Sequence, residues 1–94
     1  MKQKSVIIHD LVNQYSNPST EFVQWCCKFD SGIQICEHNK VYNAKSFLTA
    51  VRLQLEEASE VKIIVQGRDE EYAMAQIIRF FHHKDPENRL EGVI

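Results

Sequence analysis

The chain has 94 residues, of which 44% are hydrophobic and 10% aromatic, and this length and composition predict a single domain with one compact core. Its formal net charge is −2 and its cationic residues are scattered among acids, which argues against nucleic acid and anionic membrane surfaces as partners. No apolar run approaches the ~20 residues that cross a bilayer, and Met1 to Ser5 does not begin a secretory signal, so we expect a cytoplasmic protein.

The first predicted elements are a strand and a helix. Ser5 to Ile8 is short, apolar and β-branched, which predicts a strand, and the polar segment His9 to Ser16 leads out of it. Apolar residues at helical spacing then predict a helix from about Pro18 to Phe29, with Ser16 or Asn17 as its N-cap. The buried positions of this helix are predicted to be Phe22, Val23, Cys26 and Phe29.

A hairpin and a second helix follow. Ile33 to Cys36 alternates with the period of a strand, Glu37 to Lys40 is a polar turn, and Val41-Tyr42 continues as the partner strand. The second helix is predicted from Phe47 to about Leu55, with Ser46 at its N-cap, and the helix-forming residues beyond it favour a further turn. Its buried stripe is predicted to be Leu48, Val51 and Leu55.

The last predicted elements are a strand from Val61 to Val65 and a helix from about Glu70 to His83, capped by Asp69. The resulting order of four strands and three helices predicts an α+β two-layer sandwich, with the helices on one face of an antiparallel sheet. Residues 1–84 form the predicted domain and residues 85–94 a polar tail. The apolar residues of that tail are Leu90, Val93 and Ile94.

Chemistry-bearing motifs are few. The three cysteines, Cys26, Cys27 and Cys36, have no metal-like spacing, and we interpret them as reduced packing residues. The sequence has no visible nucleophile-base pair, glycine-rich phosphate loop or metal cluster. We therefore predict a non-enzymatic protein without a metal or cofactor.

Two segments at predicted helix starts carry the most information, Tyr15-Ser16-Asn17-Pro18 and Asn43-Ala44-Lys45-Ser46. Together with Phe29 to Ile35 and Gly67 to Glu70, they resemble the HPr family, the phosphocarriers of the bacterial sugar phosphotransferase system. The resemblance runs over roughly residues 1–84 and implies the HPr-like open-faced sandwich, with strands in the order 1-4-2-3 when numbered along the chain.

In the HPr family, the first helix opens with a histidine that carries phosphate and, two residues later, an arginine. The resemblance places Tyr15 at the histidine position and Asn17 at the arginine position. A phenol has a pKa near ~10 and is a poor nucleophile at neutral pH, so we expect no phosphocarrier activity there. The residues alone leave two roles open for Tyr15, an exposed aromatic before a helix or a ring adapted to contact a partner.

The second segment places Ser46 where the family is phosphorylated for regulation. A helix start suits a phosphate because it offers free N–H groups and partial positive charge, although a serine there often serves only as a cap. The resemblance also implies an exposed apolar patch beside the serine, whereas helical spacing assigns Val51 and Leu55 mainly to the core and leaves Leu48 undecided. The predicted partner-binding residues are Tyr15, Asn17, Lys45, Phe47, Leu48 and Val51.

A missing histidine with a retained serine is similar to the Crh branch of the family. The resemblance implies that HPr kinase/phosphorylase phosphorylates Ser46 and that the product acts in carbon catabolite repression, as corepressor for a LacI-type catabolite-control repressor. Crh-like proteins keep an arginine where Asn17 stands, and it helps them recognise the repressor, so its absence here bears on the repressor step rather than on the kinase step. The alternative is a diverged HPr-fold binding module independent of phosphate, working as a homodimer if the first strand is exchanged.

Overall fold

The protein folds as a four-stranded antiparallel sheet with its helices on one side. The computed structural model describes residues 1–82. The strands are β1 (Lys2–Ile7), β2 (Gly32–Glu37), β3 (Lys40–Asn43) and β4 (Glu60–Gln66), and the helices are α1 (Leu11–Gln14), α2 (Pro18–Cys26), α3 (Phe47–Arg52) and α4 (Glu70–His82). The strand order β1-β4-β2-β3 confirms the predicted α+β open-faced sandwich. The predicted domain boundary at residue 84 and the tail with Leu90, Val93 and Ile94 lie outside the described residues.

The core lies between the sheet and the helices and follows directly from the strand periodicity. Alternate residues of β2 and β4 point inward, and β4 pairs with β1 on one side and β2 on the other. Burying this apolar face is the main stabilising contribution to the fold. The fully buried side chains of the two strands are Ile33, Ile35, Val61, Ile63 and Val65.

A short helix, α1, lies within the segment predicted to be only a polar connection. Asp10 precedes it in a left-handed conformation with φ 61°, and its backbone N–H donates to Glu57 Oε1 at 2.7 Å. Leu11 is only 1% exposed, and burial of this one side chain in the core anchors the single helical turn. Four residues are too few for a helical period to be visible in the sequence.

The helix α2 begins where predicted but is shorter. Pro18 is its first residue and Asn17 is its N-cap, and all four predicted apolar positions are buried. The prediction that it continues to Phe29 is wrong, because the helix ends at Cys26 and a tighter turn follows, in which the Phe29 N–H donates to the Cys26 carbonyl at 3.3 Å.

The helix α3 ends at Arg52, so the predictions that it reaches Leu55 and continues further are wrong. The buried Glu37 carboxylate accepts the backbone N–H groups of Gln54 at 3.0 Å and Leu55 at 2.6 Å. Those N–H groups would otherwise serve the next helical turn. The chain is extended at Leu53, and Leu55 is left-handed with φ 48°, which stops the helix.

The β2–β3 hairpin is tighter than predicted. Glu37 and Lys40 pair in the ladder, so only His38 and Asn39 form the turn. Both have positive φ, 52° and 66°, as a two-residue type I′ turn requires. The tight turn carries Glu37 into the sheet, from which its carboxylate reaches the chain after α3.

Asp69, at the junction of β4 and α4, connects that junction to the residues just before β2. Its carboxylate accepts the backbone N–H groups of Asp30 at 3.0 Å and Ser31 at 2.9 Å, and also the Ser31 hydroxyl. These hydrogen bonds lower the pKa of Asp69, the one from the Ser31 hydroxyl contributing most. Only glycine fits at Gly67, because a Cβ there would lie 2.6 Å from the Ser31 oxygen.

Candidate functional site

Tyr15, at the first sequence-predicted site, is buried rather than exposed. It is 7% exposed, and its ring stacks on Phe80 with centroids 4.3 Å apart and planes within 8°. Its hydroxyl donates to the Phe80 carbonyl at 2.6 Å. Burial and, secondarily, the Glu21 carboxylate raise the pKa of Tyr15 to about 12. The interpretation of Tyr15 as an exposed aromatic is therefore wrong, because the sequence did not reveal its partner in α4.

Asn17 caps α2. Its side-chain oxygen accepts the Thr20 N–H at 3.3 Å, while its own N–H donates to Glu21 Oε2 at 3.0 Å. This reciprocal arrangement resembles a capping box and stabilises the start of the helix. The position occupied by an arginine in the family thus holds a neutral capping residue with an acidic neighbour, a poor environment for a phosphate.

Ser46, at the second predicted site, precedes α3 as its N-cap and is half-buried. Its backbone groups are engaged, since its N–H donates to the Asn43 carbonyl and its carbonyl accepts from Thr49, both at 3.0 Å. The hydroxyl, by contrast, makes no capping hydrogen bond to the described chain. The serine is therefore held by its backbone while its hydroxyl takes no part in ending the helix.

Three large apolar side chains beside Ser46 face solvent. Phe47 is 77%, Leu48 62% and Val51 71% exposed, and we call these three residues the α3 patch. The assignment of Val51 to the core and of Leu48 to the buried stripe is wrong, whereas the exposure expected for Phe47 is confirmed. The buried face of α3 carries Thr49 and Ala50 instead, small residues that let the helix lie close to α2.

Lys45 links the Ser46 segment to the end of α2. Its ammonium group donates to the Phe29 carbonyl, and its own carbonyl lies 3.7 Å from the Cys27 sulfur. Its N–H donates to Asn43 Oδ1 at 3.0 Å. The lysine therefore fixes the loop before Ser46, and its charge is directed to the end of α2.

The two segments lie on neighbouring elements. The Ser19 hydroxyl, in the first turn of α2, donates to the Ala50 carbonyl in α3 at 2.9 Å. The start of α2 therefore touches α3 directly, and the structure brings Asn17 and the α3 patch onto adjacent elements while it buries Tyr15 against α4. Glu37, which fixes the end of α3, was missed because its role depends on a contact with residues 17 and 18 positions away.

Other chemistry is limited among the described residues. No group of three or more histidine, cysteine, aspartate or glutamate side chains within residues 1–82 could hold a metal ion. All three cysteines are free, and burial raises the pKa of the Cys26 thiol, so that thiol is inert in the folded chain. None of the helices in this part of the chain combines the length and apolar character needed to span a bilayer.

Comparisons with known proteins agree with this geometry. The family model described as "PTS HPr component phosphorylation site" matches residues 2–83. The chain is 32% identical to the HPr-like protein Crh of Halalkalibacterium halodurans, over 85% of this chain and 95% of that protein. It is 30% identical to the phosphocarrier protein HPr of Treponema pallidum, over 89% of this chain and 96% of that protein.

Solved structures share the fold. The crystal structure of HPr-C-His from Thermoanaerobacter tengcongensis matches with a TM-score of 0.77 and 31% identity, covering 89% of this chain and 94% of that one. The Bacillus subtilis Crh crystal structure, described as a swapped dimer, matches with a TM-score of 0.62 and 29% identity, covering 73% and 79%. With the family model matched over nearly the whole described chain, the protein belongs to the HPr family of the phosphotransferase system.

Proposed function

We propose that this chain is a Crh-like regulatory protein, phosphorylated on Ser46 by HPr kinase/phosphorylase and unable to carry phosphate on a histidine. The observation that carries the proposal is the contrast between the two candidate sites. Tyr15 is locked in the core by a ring stack and a hydrogen bond, whereas the Ser46 hydroxyl makes no capping bond and adjoins an exposed surface. A protein kinase needs a hydroxyl that it can reach, and of the two sites Ser46 is the one that is not buried and whose hydroxyl makes no capping hydrogen bond.

The α3 patch supports the proposal because it gives a partner something to bind. A central aromatic residue with aliphatic neighbours is typical of the buried centre of a protein interface. Phosphorylation would add about −1.5 to −2 of charge at the edge of such a surface. Because the Ser46 backbone is already hydrogen-bonded on both sides, the added charge acts on the partner's contacts rather than on the local fold.

Loss of phosphocarrier activity follows from the chemistry at the start of α2. The Tyr15 phenol is buried and its pKa is raised to about 12, so it stays protonated at neutral pH and is a poor nucleophile. Asn17 supplies no positive charge, and Glu21 would repel a phosphate. A phosphoryl group transferred to this site would have neither an accessible acceptor nor an electrostatic partner.

The proposal implies a set of partners and a location. HPr-family proteins are carriers rather than catalysts, and in this scheme the chain is a substrate of the kinase in the cytoplasm. The phosphorylated form would then bind a LacI-type catabolite-control repressor through Ser46 and the α3 patch, with Asn17 and Lys45 at the margin. Because residue 17 is an asparagine, this contact would lack the positive charge of the arginine that Crh-like proteins have there.

A second candidate is a binding module of the same fold that does not use phosphate. The exposed α3 patch favours it, since apolar contacts of this kind need no modification. A homodimer formed by exchange of β1 belongs to this candidate, because β1 is an edge strand of the described sheet and pairs only with β4 there. The swapped dimer described for Bacillus subtilis Crh is the precedent.

Intact-mass spectrometry after incubation with HPr kinase/phosphorylase and ATP tests the proposal. We expect one added phosphate on the wild type and on Ser16→Ala, a control at an exposed serine before the other helix, and none on Ser46→Ala. An unmodified wild type would favour the phosphate-independent module. Incubation with phosphoenolpyruvate and the general phosphotransferase enzyme should leave the mass unchanged, and an acid-labile phosphate there would contradict the loss of carrier activity.

A further inference from the structure

A cleft lies where the β2–β3 hairpin meets the end of α3. Its volume is about 300 Å³, at the lower end of the range for small-molecule sites. We call it the hairpin cleft, and the residues that line it are Glu37, His38, Lys40, Tyr42, Arg52 and Gln54. We propose that the hairpin cleft binds a small phosphate dianion, either inorganic phosphate or a phosphate monoester. This site is separate from Ser46, which precedes the opposite end of α3.

Two permanent cations line the hairpin cleft. Lys40 and Arg52 form no ion pair with an acidic side chain within residues 1–82. The whole chain has a net charge of −2, so this unpaired positive charge is a local feature. Arginine binds phosphate oxygens in pairs through its planar guanidinium group, and lysine adds a compact positive charge. An anion in the cleft would therefore interact with both residues.

The carboxylates near the hairpin cleft are already engaged. Glu37 is 2% exposed, and its two oxygens accept the backbone N–H groups of Gln54 and Leu55. Glu56 Oε1 lies 3.3 Å from His38 Nε2, so we do not count this histidine among the groups that bind the anion. Glu37 is the one acid that lines the cleft, and it is buried, so the lining presents positive charge without an exposed carboxylate.

The neutral groups of the hairpin cleft also suit an anion. Tyr42 packs against the core from β3, and its phenol can donate a hydrogen bond into the cleft. Gln54 is held through its backbone N–H by Glu37, which leaves its side-chain amide to donate to a ligand. Because a dianionic phosphate offers only acceptor oxygens, it matches a lining of donors better than a cation does.

Amide NMR titrations of the full chain test the proposal. The two probes are inorganic phosphate and glycerol phosphate, added at about pH 7.5, where a monoester with a second pKa near 6 is mostly dianionic. Sodium chloride keeps the ionic strength constant, since salt screens exposed charges. We expect saturable shifts at residues 37–42 and 52–54, with a dissociation constant in the millimolar range. Tighter binding of glycerol phosphate would identify a monoester as the ligand, and equal binding would identify the phosphate group alone.

Substitutions then assign the binding to the hairpin cleft. Arg52→Gln and Lys40→Gln each remove one charged donor and should weaken binding about tenfold or more, whereas Arg52→Lys keeps the charge and should weaken it less. Arg68→Gln, at an exposed cation outside the cleft, is the matched control and should leave binding unchanged, as should Ser46→Ala. Lys40, Arg52 and Arg68 are exposed, so these variants should fold, and their amide spectra check this.

Three results would overturn the proposal. Shifts that grow with phosphate concentration without saturating would indicate general attraction of anions to the surface. Equal weakening by Arg52→Gln and Arg68→Gln would have the same meaning. Saturable shifts confined to residues outside 37–42 and 52–54 would place the binding elsewhere. None of these results depends on phosphorylation of Ser46, so the anion site and the proposed function stand or fail separately.

Discussion

Replacing Tyr15 with phenylalanine isolates one hydrogen bond of the aromatic cluster. The Phe80 carbonyl that accepts the Tyr15 hydroxyl lies near the end of α4. Tyr15→Phe keeps the ring stacked at 4.3 Å but removes the donor of this hydrogen bond, so we expect a loss of about 1–2 kcal/mol in unfolding free energy. Tyr15→Ala also removes the buried ring and should cost about 3–5 kcal/mol.

Urea unfolding followed by far-UV circular dichroism at neutral pH measures both losses. Tyr72→Phe is the matched control, because Tyr72 is 63% exposed and its substitution should change the free energy by less than about 0.5 kcal/mol. Equal stability of Tyr15→Phe and wild type would refute the reasoning about the hydrogen bond. Equal losses for Tyr15→Phe and Tyr15→Ala would refute the reasoning about the ring.

The same substitution has a predicted pH dependence. The pKa of Tyr15 is raised from 10.0 to about 12 in the folded chain, so the neutral phenol is favoured by folding. Its contribution is complete below pH 10 and is lost as the pH rises through about 12. The stability difference between wild type and Tyr15→Phe should therefore narrow over that interval, and a constant difference would contradict the burial of the hydroxyl.

Three further predictions concern the residues that shape the fold around the site. Glu37→Gln should lower the unfolding free energy by about 1–3 kcal/mol, because one of the two N–H groups held by the carboxylate would face an amide donor; an unchanged urea midpoint would contradict this. Asp69→Asn should lower the unfolding free energy at neutral pH. Because the folded pKa of Asp69 is lowered from 3.8, the difference in unfolding free energy between wild type and variant should shrink as the pH falls below about 4. A difference that persists in acid would argue against the hydrogen bonds from Asp30 and Ser31 to the Asp69 carboxylate. Val51→Ala should change the unfolding free energy by less than about 0.5 kcal/mol, whereas Leu55→Ala should lower it by about 2–5 kcal/mol, and the reverse order in thermal unfolding would contradict the exposure of Val51 and the burial of Leu55.

The parts of the fold that the sequence predicted are those whose signal is local. Alternation in Ile33 to Cys36 and the β-branched run of Val61 to Val65 require no knowledge of distant residues, and both segments are strands. Asn17 followed by Pro18 likewise marks the start of α2. The resemblance to a family then supplied the strand order, which periodicity alone does not determine.

The wrong predictions concern residues whose secondary structure or burial depends on contacts with distant parts of the chain. The segment after α3 contains good helix formers, yet the Glu37 carboxylate binds the N–H groups of Gln54 and Leu55 and so ends the helix. Leu55 is buried in the irregular segment after the helix, where its backbone is left-handed, and Val51 faces solvent. The predicted helix continued to Leu55, whereas α3 ends at Arg52. Helical spacing over residues 47–55 therefore assigned the wrong side of α3 to the core.

Contacts with distant residues also explain why the two candidate sites differ in burial and hydrogen bonding. A phosphocarrier residue must be reached by two partner proteins in turn, whereas Tyr15 stacks on a residue 65 positions away and its hydroxyl serves the backbone of α4. Introducing a histidine at residue 15 would remove that bond, and introducing an arginine at residue 17 would remove the Asn17 cap, at a cost of about 1 kcal/mol. The side chains of Tyr15 and Asn17 thus stabilise the fold, whereas the Ser46 side chain does not cap α3. Modification of Ser46 can therefore change the surface of the protein without opposing its fold.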